Sequence, residues 1–207
     1  VLESAARLSP RDSVVLRQLA QAALLAGDRA RARVAYEAAL REDPDYAAVH
    51  VEYARLLSDD GLHAQAEAHV RTALELVPAY GEAALALAAI LKRQGRVHEA
   101  VNVLADFLST EPYQLEALTL LGECLAEEGR RQEAETALRR VLKFDPDRLP
   151  ALYILGLLYA ETGRYREALE MWRRLVERAP EHELAARARS QAEVAASLGR
   201  IFDRRSS

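Results

Sequence analysis

Six of the seven prolines, Pro10, Pro44, Pro78, Pro112, Pro146 and Pro180, stand 34 residues apart, and Gly27, Gly61, Gly95, Gly129 and Gly163 repeat at the same interval, each 17 residues after a proline. Two unrelated residue types locked to one register define a repeat, and a period of this length belongs to stacked supersecondary units rather than to one closed core. Between each Pro and the next Gly lies a helical pattern of about 14 residues, and a second of similar length runs on to the following Pro. Glycine reaches the left-handed conformation that ends a helix, while proline disfavours helix in the residue before it and cannot donate an interior helix bond. Each unit is therefore expected to be a helical hairpin. Asp45 and Asp147, just past their prolines, are expected to cap the helices that follow.

The interior of the unit repeats as well. Counted from Ser13, Ala47, Gly81, Leu115 and Leu149, the twentieth position is always alanine: Ala32, Ala66, Ala100, Ala134 and Ala168. The eighth is also small (Ala20, Ala54, Ala88, Gly122, Gly156), so two helices are expected to approach closely there. Large groups surround that contact, Leu19, Tyr53, Leu87, Leu121 and Leu155 at the seventh position and Tyr36, Val70, Leu104, Leu138 and Trp172 at the twenty-fourth. A core running through all five units is the expectation.

This pattern of small, large and proline positions resembles the tetratricopeptide repeat family over roughly residues 13 to 180, with Gly156, Tyr159, Ala168, Trp172 and Pro180 the closest match. The fourth position, often Trp in that family, is Leu16, His50, Ala84, Leu118 and Leu152 here. The resemblance implies an all-α, right-handed α-solenoid of tandem helix-turn-helix repeats, with first helices lining a concave groove and second helices forming the convex back. The repeats are 13–46, 47–80, 81–114, 115–148 and 149–182. Residues 1–10 are in register with the end of a preceding second helix, with Leu2 and Ala5 inward. Residues 183–199 read as a capping helix, because Arg189, Ser190 and Glu193 replace inward groups, and 200–207 as a flexible tail.

Composition narrows the function. The chain of 207 residues is 50% hydrophobic and 29% charged, outside the range of a disordered polymer. Its longest apolar stretch, Leu149 to Ala160, is short of the roughly 20 residues a membrane helix needs. A net charge of −4 argues against nucleic acid, which demands a concentrated basic surface. No signal-like segment opens the chain, but it begins with Val1 rather than Met, so the compartment stays open, a cytoplasmic setting being favoured and a periplasmic one left to a missing upstream signal. With 26 Arg to two Lys and abundant Ala, residue usage suggests a GC-rich bacterial source.

No catalytic constellation or cofactor motif emerges. Cys124 falls at a core position, and a single cysteine excludes a multi-cysteine zinc site. His63 and His69 lie six apart and face away from each other, and the five histidines show no metal-ligand spacing. The repeated glycines stand singly at helix ends, and neither a GxGxxG nor a GxxxxGK(S/T) motif exists. Arg29, Arg31 and Arg33 read as a solvated surface. The chain is expected to be a non-enzymatic scaffold or adaptor that binds a protein partner. The alternatives are a self-association module, through the N-terminal edge or the Ile201 and Phe202 tail, and the regulatory arm of a larger protein.

The groove that the resemblance implies can be read off by position. Arg17, Arg55, Lys92 and Arg93 with Glu52, Asp59 and Glu82, beside the neutral Gln21, place mixed charge in the first three repeats, whereas Glu116, Glu123, Glu127 and Glu161 make the last two acidic. Val51, Leu85, Tyr153 and Leu157 form an apolar strip expected to stay at the surface and anchor a helix or peptide segment with apolar anchors and a basic stretch. Family members that clamp an acidic C-terminus use Lys, Asn and Arg in three consecutive repeats. Arg17 and Gln21 begin such a series, but Glu52, Glu82 and Ala86 end it.

Overall fold

The computed structural model describes residues 12–205, with side chains through residue 199. The expectations for residues 1–10 and for the Ile201 and Phe202 side chains lie outside the described residues. Eleven helices follow one another in the described chain: α1 Ser13–Leu25, α2 Arg29–Glu42, α3 Ala47–Asp59, α4 His63–Leu76, α5 Gly81–Arg93, α6 Val97–Thr110, α7 Leu115–Glu127, α8 Arg131–Phe144, α9 Leu149–Glu161, α10 Tyr165–Arg178 and α11 Glu183–Arg205. First helices have 13 residues and second helices 14 in all five hairpins.

Every hairpin closes in the same way. Gly27, Gly61, Gly95, Gly129 and Gly163 have φ between 75° and 79°. The amide after each glycine reaches back to the carbonyl five residues earlier, as in Asp28 N to Ala23 O at 2.9 Å and Arg164 N to Tyr159 O at 2.8 Å. This is the Schellman closure, and it satisfies carbonyls that a helix end would otherwise orphan. Proline serves the other junction. Asp43, Val77, Asp145 and Ala179, which precede prolines, are extended at φ −131° to −141°. Pro44, Pro78, Pro112 and Pro146 then occupy the second place of a turn closed by bonds such as Tyr80 N to Val77 O at 3.1 Å.

Capping departs from expectation. The N-cap residues of α3 and α9 are Tyr46 and Arg148, neither bonding through its side chain. Asp45 and Asp147 sit one residue too early, because the proline turn takes up that residue. Asp147 instead pairs with Arg178 at 3.0 Å. Side-chain caps come from Asp12, Asp28 and Gln114. Before α6, α8 and α10, Arg96, Arg130 and Arg164 each clasp the glutamate three residues on with two bonds, at 2.6 Å and 2.6 Å for Arg96 to Glu99.

The residues form two compact units, Val1–Val103 and Leu104–Ser207. In the first, α1 packs on α2, α3 on α4, and α3 also on α5. In the second, α7 packs on α8, α9 on α10, α10 on α11, and α9 also on both α7 and α11. The five alanines of the twentieth position are fully buried, as are the alanines of the eighth. Beside the small residues stand the large ones: a Cβ on Gly122 would come within 2.5 Å of Leu138 Cγ, and one on Gly156 within 2.5 Å of Trp172 Cε2. At the seventh position Tyr53, Leu87 and Leu155 are buried, whereas Leu19 and Leu121 are only half-buried.

Helix α11 runs to Arg205, past the Gly199 at which the pattern set its end and into the stretch expected to be a flexible tail. Gly199 is not among the glycines of positive φ, so it does not terminate the helix, and a Cβ there would rest 3.5 Å from Tyr165 Cβ. Arg189, Ser190 and Glu193 are exposed while Ala185, Ala188 and Ala195 face inward. No described helix is long and apolar enough to cross a membrane.

Candidate functional site

In each unit the first helices present one face, and the charges on it are largely paired with one another. In the first unit Glu52 of α3 accepts from Arg17 Nε at 2.9 Å, from Gln21 Nε2 at 3.0 Å and from the Tyr36 hydroxyl at 3.2 Å. Arg17 also reaches Tyr46 Oη at 3.3 Å and lies over that ring. The bond to Glu52 raises the Arg17 pKa further, keeping it charged. Arg55 pairs with Glu82 at 3.3 Å and Arg93 with Asp59 at 2.8 Å, both between α3 and α5. Arg17 and Gln21 thus hold a carboxylate that the chain itself supplies. Leu85 and Lys92 are half-buried on α5.

The expected apolar strip is corrected at two places. Val51 is fully buried and Tyr153 only 7% exposed. The reason is helix packing: α3 lies against α5, and α9 against both α7 and α11, so Val51 and Tyr153 are covered by neighbouring first helices. Tyr153 is covered further by the guanidinium of Arg187, 5.1 Å above its ring, and its carbonyl accepts Trp172 Nε1 at 3.2 Å.

The second unit opens a hollow of about 350 Å³ on this face. Its floor is apolar, with Tyr153, Ile154, Leu157 and Leu158 from α9, Ala126 from α7 and Leu184 from α11. Glu123 and Glu127 of α7 and Glu161 of α9 stand on its rim, with Arg187 of α11 on the same rim. The hollow thus gathers the predicted Glu123, Tyr153 and Leu157. Arg17, Gln21, Val51, Arg55, Leu85 and Lys92 are not part of it. Sequence reasoning missed Leu184 and Arg187, although the signal was there: counted on from Glu183, they occupy the second and fifth positions of a further repeat. It also missed two arginines that reach into the acidic half, Arg148 bonding Glu116 at 2.9 Å and Arg131 bonding Glu161 at 3.3 Å. Arg148 holds the Glu116 carboxyl below its ordinary range.

Two histidines in the first unit hold a second surprise. His50 and His69, from α3 and α4, meet with their Nδ1 atoms 2.9 Å apart. Cys124 is buried in the second unit.

Helical hairpins stacked at a fixed interval define the α-solenoid class, a fold of protein-interaction scaffolds that are generally not catalytic. The chain matches the tetratricopeptide repeat model over residues 23–90, 91–155 and 125–192, and it belongs to that family. Among solved structures it is similar to PilW, a widely conserved type IV pilus biogenesis factor, at 22% identity and TM-score 0.79 over 93% of this chain and 91% of that one. YrrB, a TPR protein with an unusual peptide-binding site, is 24% identical with TM-score 0.68, over 92% of this chain and 98% of the other. A thermophilic TPR protein of Thermus thermophilus shares 25% identity with TM-score 0.71, covering 86% of this chain and 97% of its own. No curated protein matches the sequence.

Proposed function

We propose that this chain is a non-catalytic adaptor that holds a helix or peptide segment of a partner protein by seating an apolar side chain in the hollow between α7, α9 and α11. The observation that carries this reading is the apolar floor of the hollow beneath a rim of three glutamates and one arginine. The acidic side favours a partner with Lys or Arg next to its apolar anchor. One well-buried anchor contributes about 1.5–3 kcal/mol, and the rim sets orientation and approach rate. The charges of the first unit are engaged with one another across α1, α3 and α5.

The test is selection from a random peptide library, followed by affinity measurement on variants. Selected peptides are expected to carry a large apolar residue flanked by basic ones. Leu157→Glu, which places a charge in the floor, is expected to weaken them at least about tenfold, while Leu85→Glu, outside the hollow, leaves them unchanged. Equal binding to wild type and Leu157→Glu defeats the proposal.

A further inference from the structure

The meeting of His50 and His69 is constrained by a third atom. His50 Nε2 lies 2.8 Å from the carbonyl oxygen of Pro44, which can only accept. His50 therefore carries its proton on Nε2 and offers the lone pair of Nδ1. The 2.9 Å bridge between the two Nδ1 atoms then requires His69 to donate from Nδ1, leaving its own Nε2 unprotonated. The neutral pair has one arrangement of two protons, set by a backbone carbonyl.

Successive protonation acts unequally on that arrangement. A first proton goes to His69 Nε2, where it leaves the Nδ1–H donor in place. A second has only His50 Nδ1 to occupy, and there it sets N–H against N–H and places two charged rings 5.1 Å apart. We propose that His50 and His69 form a proton-operated latch that closes the α3–α4 hairpin while the pair is neutral and releases it once both rings are charged.

The surroundings bias the latch toward the neutral state. His50 is buried and the His69 ring lies against that of Tyr53, tilted at 55° with centroids 4.9 Å apart. Desolvation, and then the neighbouring His50, hold His69 below the ordinary imidazole range, against the pull of Glu37 on α2. Glu37 is itself engaged by Tyr53 Oη at 2.8 Å and by Arg33 at 3.1 Å. Because α3 also carries Glu52, Arg55 and Asp59, release of the latch loosens the helix that ties α1 to α5.

Nitrogen NMR of the labelled full chain tests the premise. At pH 8 the proton is expected on Nε2 of His50 and on Nδ1 of His69, and the reverse assignment of either ring overturns the proposal. Amide exchange, corrected for its intrinsic pH dependence, tests the consequence. Exchange in α3 and α4 is expected to speed up about tenfold relative to α9 as pH falls from 7.5 to 5.5, and His69→Gln, which does not titrate and whose amide can donate to a neutral His50 Nδ1 or turn to accept from a protonated one, is expected to remove that difference. Persistence of the difference in His69→Gln overturns the latch. Should that variant not fold, the wild-type proton positions and exchange rates decide alone.

Discussion

Single residues divide into those that a helix contact demands and those that a turn demands, and the two fail differently. Gly156 is needed for space: a Cβ there would run into the indole of Trp172, whose Nε1 is fixed to the Tyr153 carbonyl. Gly163 is needed for its backbone: φ is 77°, and nothing lies within 4 Å of the place a Cβ would take. Gly156→Ala is expected to cost about 1–3 kcal/mol through overpacking, and Gly163→Ala about 1 kcal/mol through left-handed strain. Urea unfolding measures both. Adding Trp172→Phe to Gly156→Ala should recover part of the first loss, whereas it should do nothing for Gly163→Ala. Gly122→Ala falls below Gly156→Ala, since Leu138 can turn its branched end aside more readily than Trp172 can move its ring.

At the scale of elements, ion pairs rank by how many bonds converge and how little water reaches them. Glu52 takes bonds from Arg17, Gln21 and Tyr36 and its side chain is 17% exposed, whereas Glu82 meets Arg55 alone at 60% exposure. Glu52→Ala is expected to cost about 2 kcal/mol, and Glu82→Ala less than about 0.5 kcal/mol, by the same denaturation measurement. The helices themselves were largely legible in the sequence, because Gly and Pro act within a few residues of where they stand. The first helix of each hairpin begins at Ser13, Ala47, Gly81, Leu115 or Leu149, the residues from which the repeats are counted. What a neighbouring helix decides was not legible. Val51 and Leu85 share the fifth position, yet one is fully buried and the other half-buried. The proline-side aspartates misled because a one-residue offset separates a cap from a turn. His50 and His69 lie on opposite helices of one hairpin, and spacing along a helix says nothing of that meeting. Of the residues that line the hollow, register singles out Glu123, Tyr153 and Leu157, while Leu184 and Arg187 were passed over because the count stopped at the last proline.

For the whole molecule, acid and salt act through carboxylates spread over both units. The bond from Tyr53 holds Glu37 below the ordinary carboxylate range, and the bond from Arg148 does so for Glu116. Burial pushes Glu67 up, but bonds from Arg71 and Arg96 outweigh it. A carboxyl whose folded pKa is depressed lends stability above its unfolded value, about 4.3 for Glu, and loses it as pH falls through the folded value. Melting followed by circular dichroism is therefore expected to be flat against pH between the imidazole and carboxylate ranges, then to fall steeply below about pH 4.5. Added salt should shrink the exposed share of that fall. The uniform closures at Gly27, Gly61, Gly95, Gly129 and Gly163 also bear on heredity. Loss of residues 47–80 would join Tyr46 to Gly81, which holds the same register as Ala47, and every turn would find its proper neighbour. Unequal crossing-over in the gene can therefore lengthen or shorten this protein by whole hairpins, and an ancestor can gain or shed reach without passing through a chain that fails to fold.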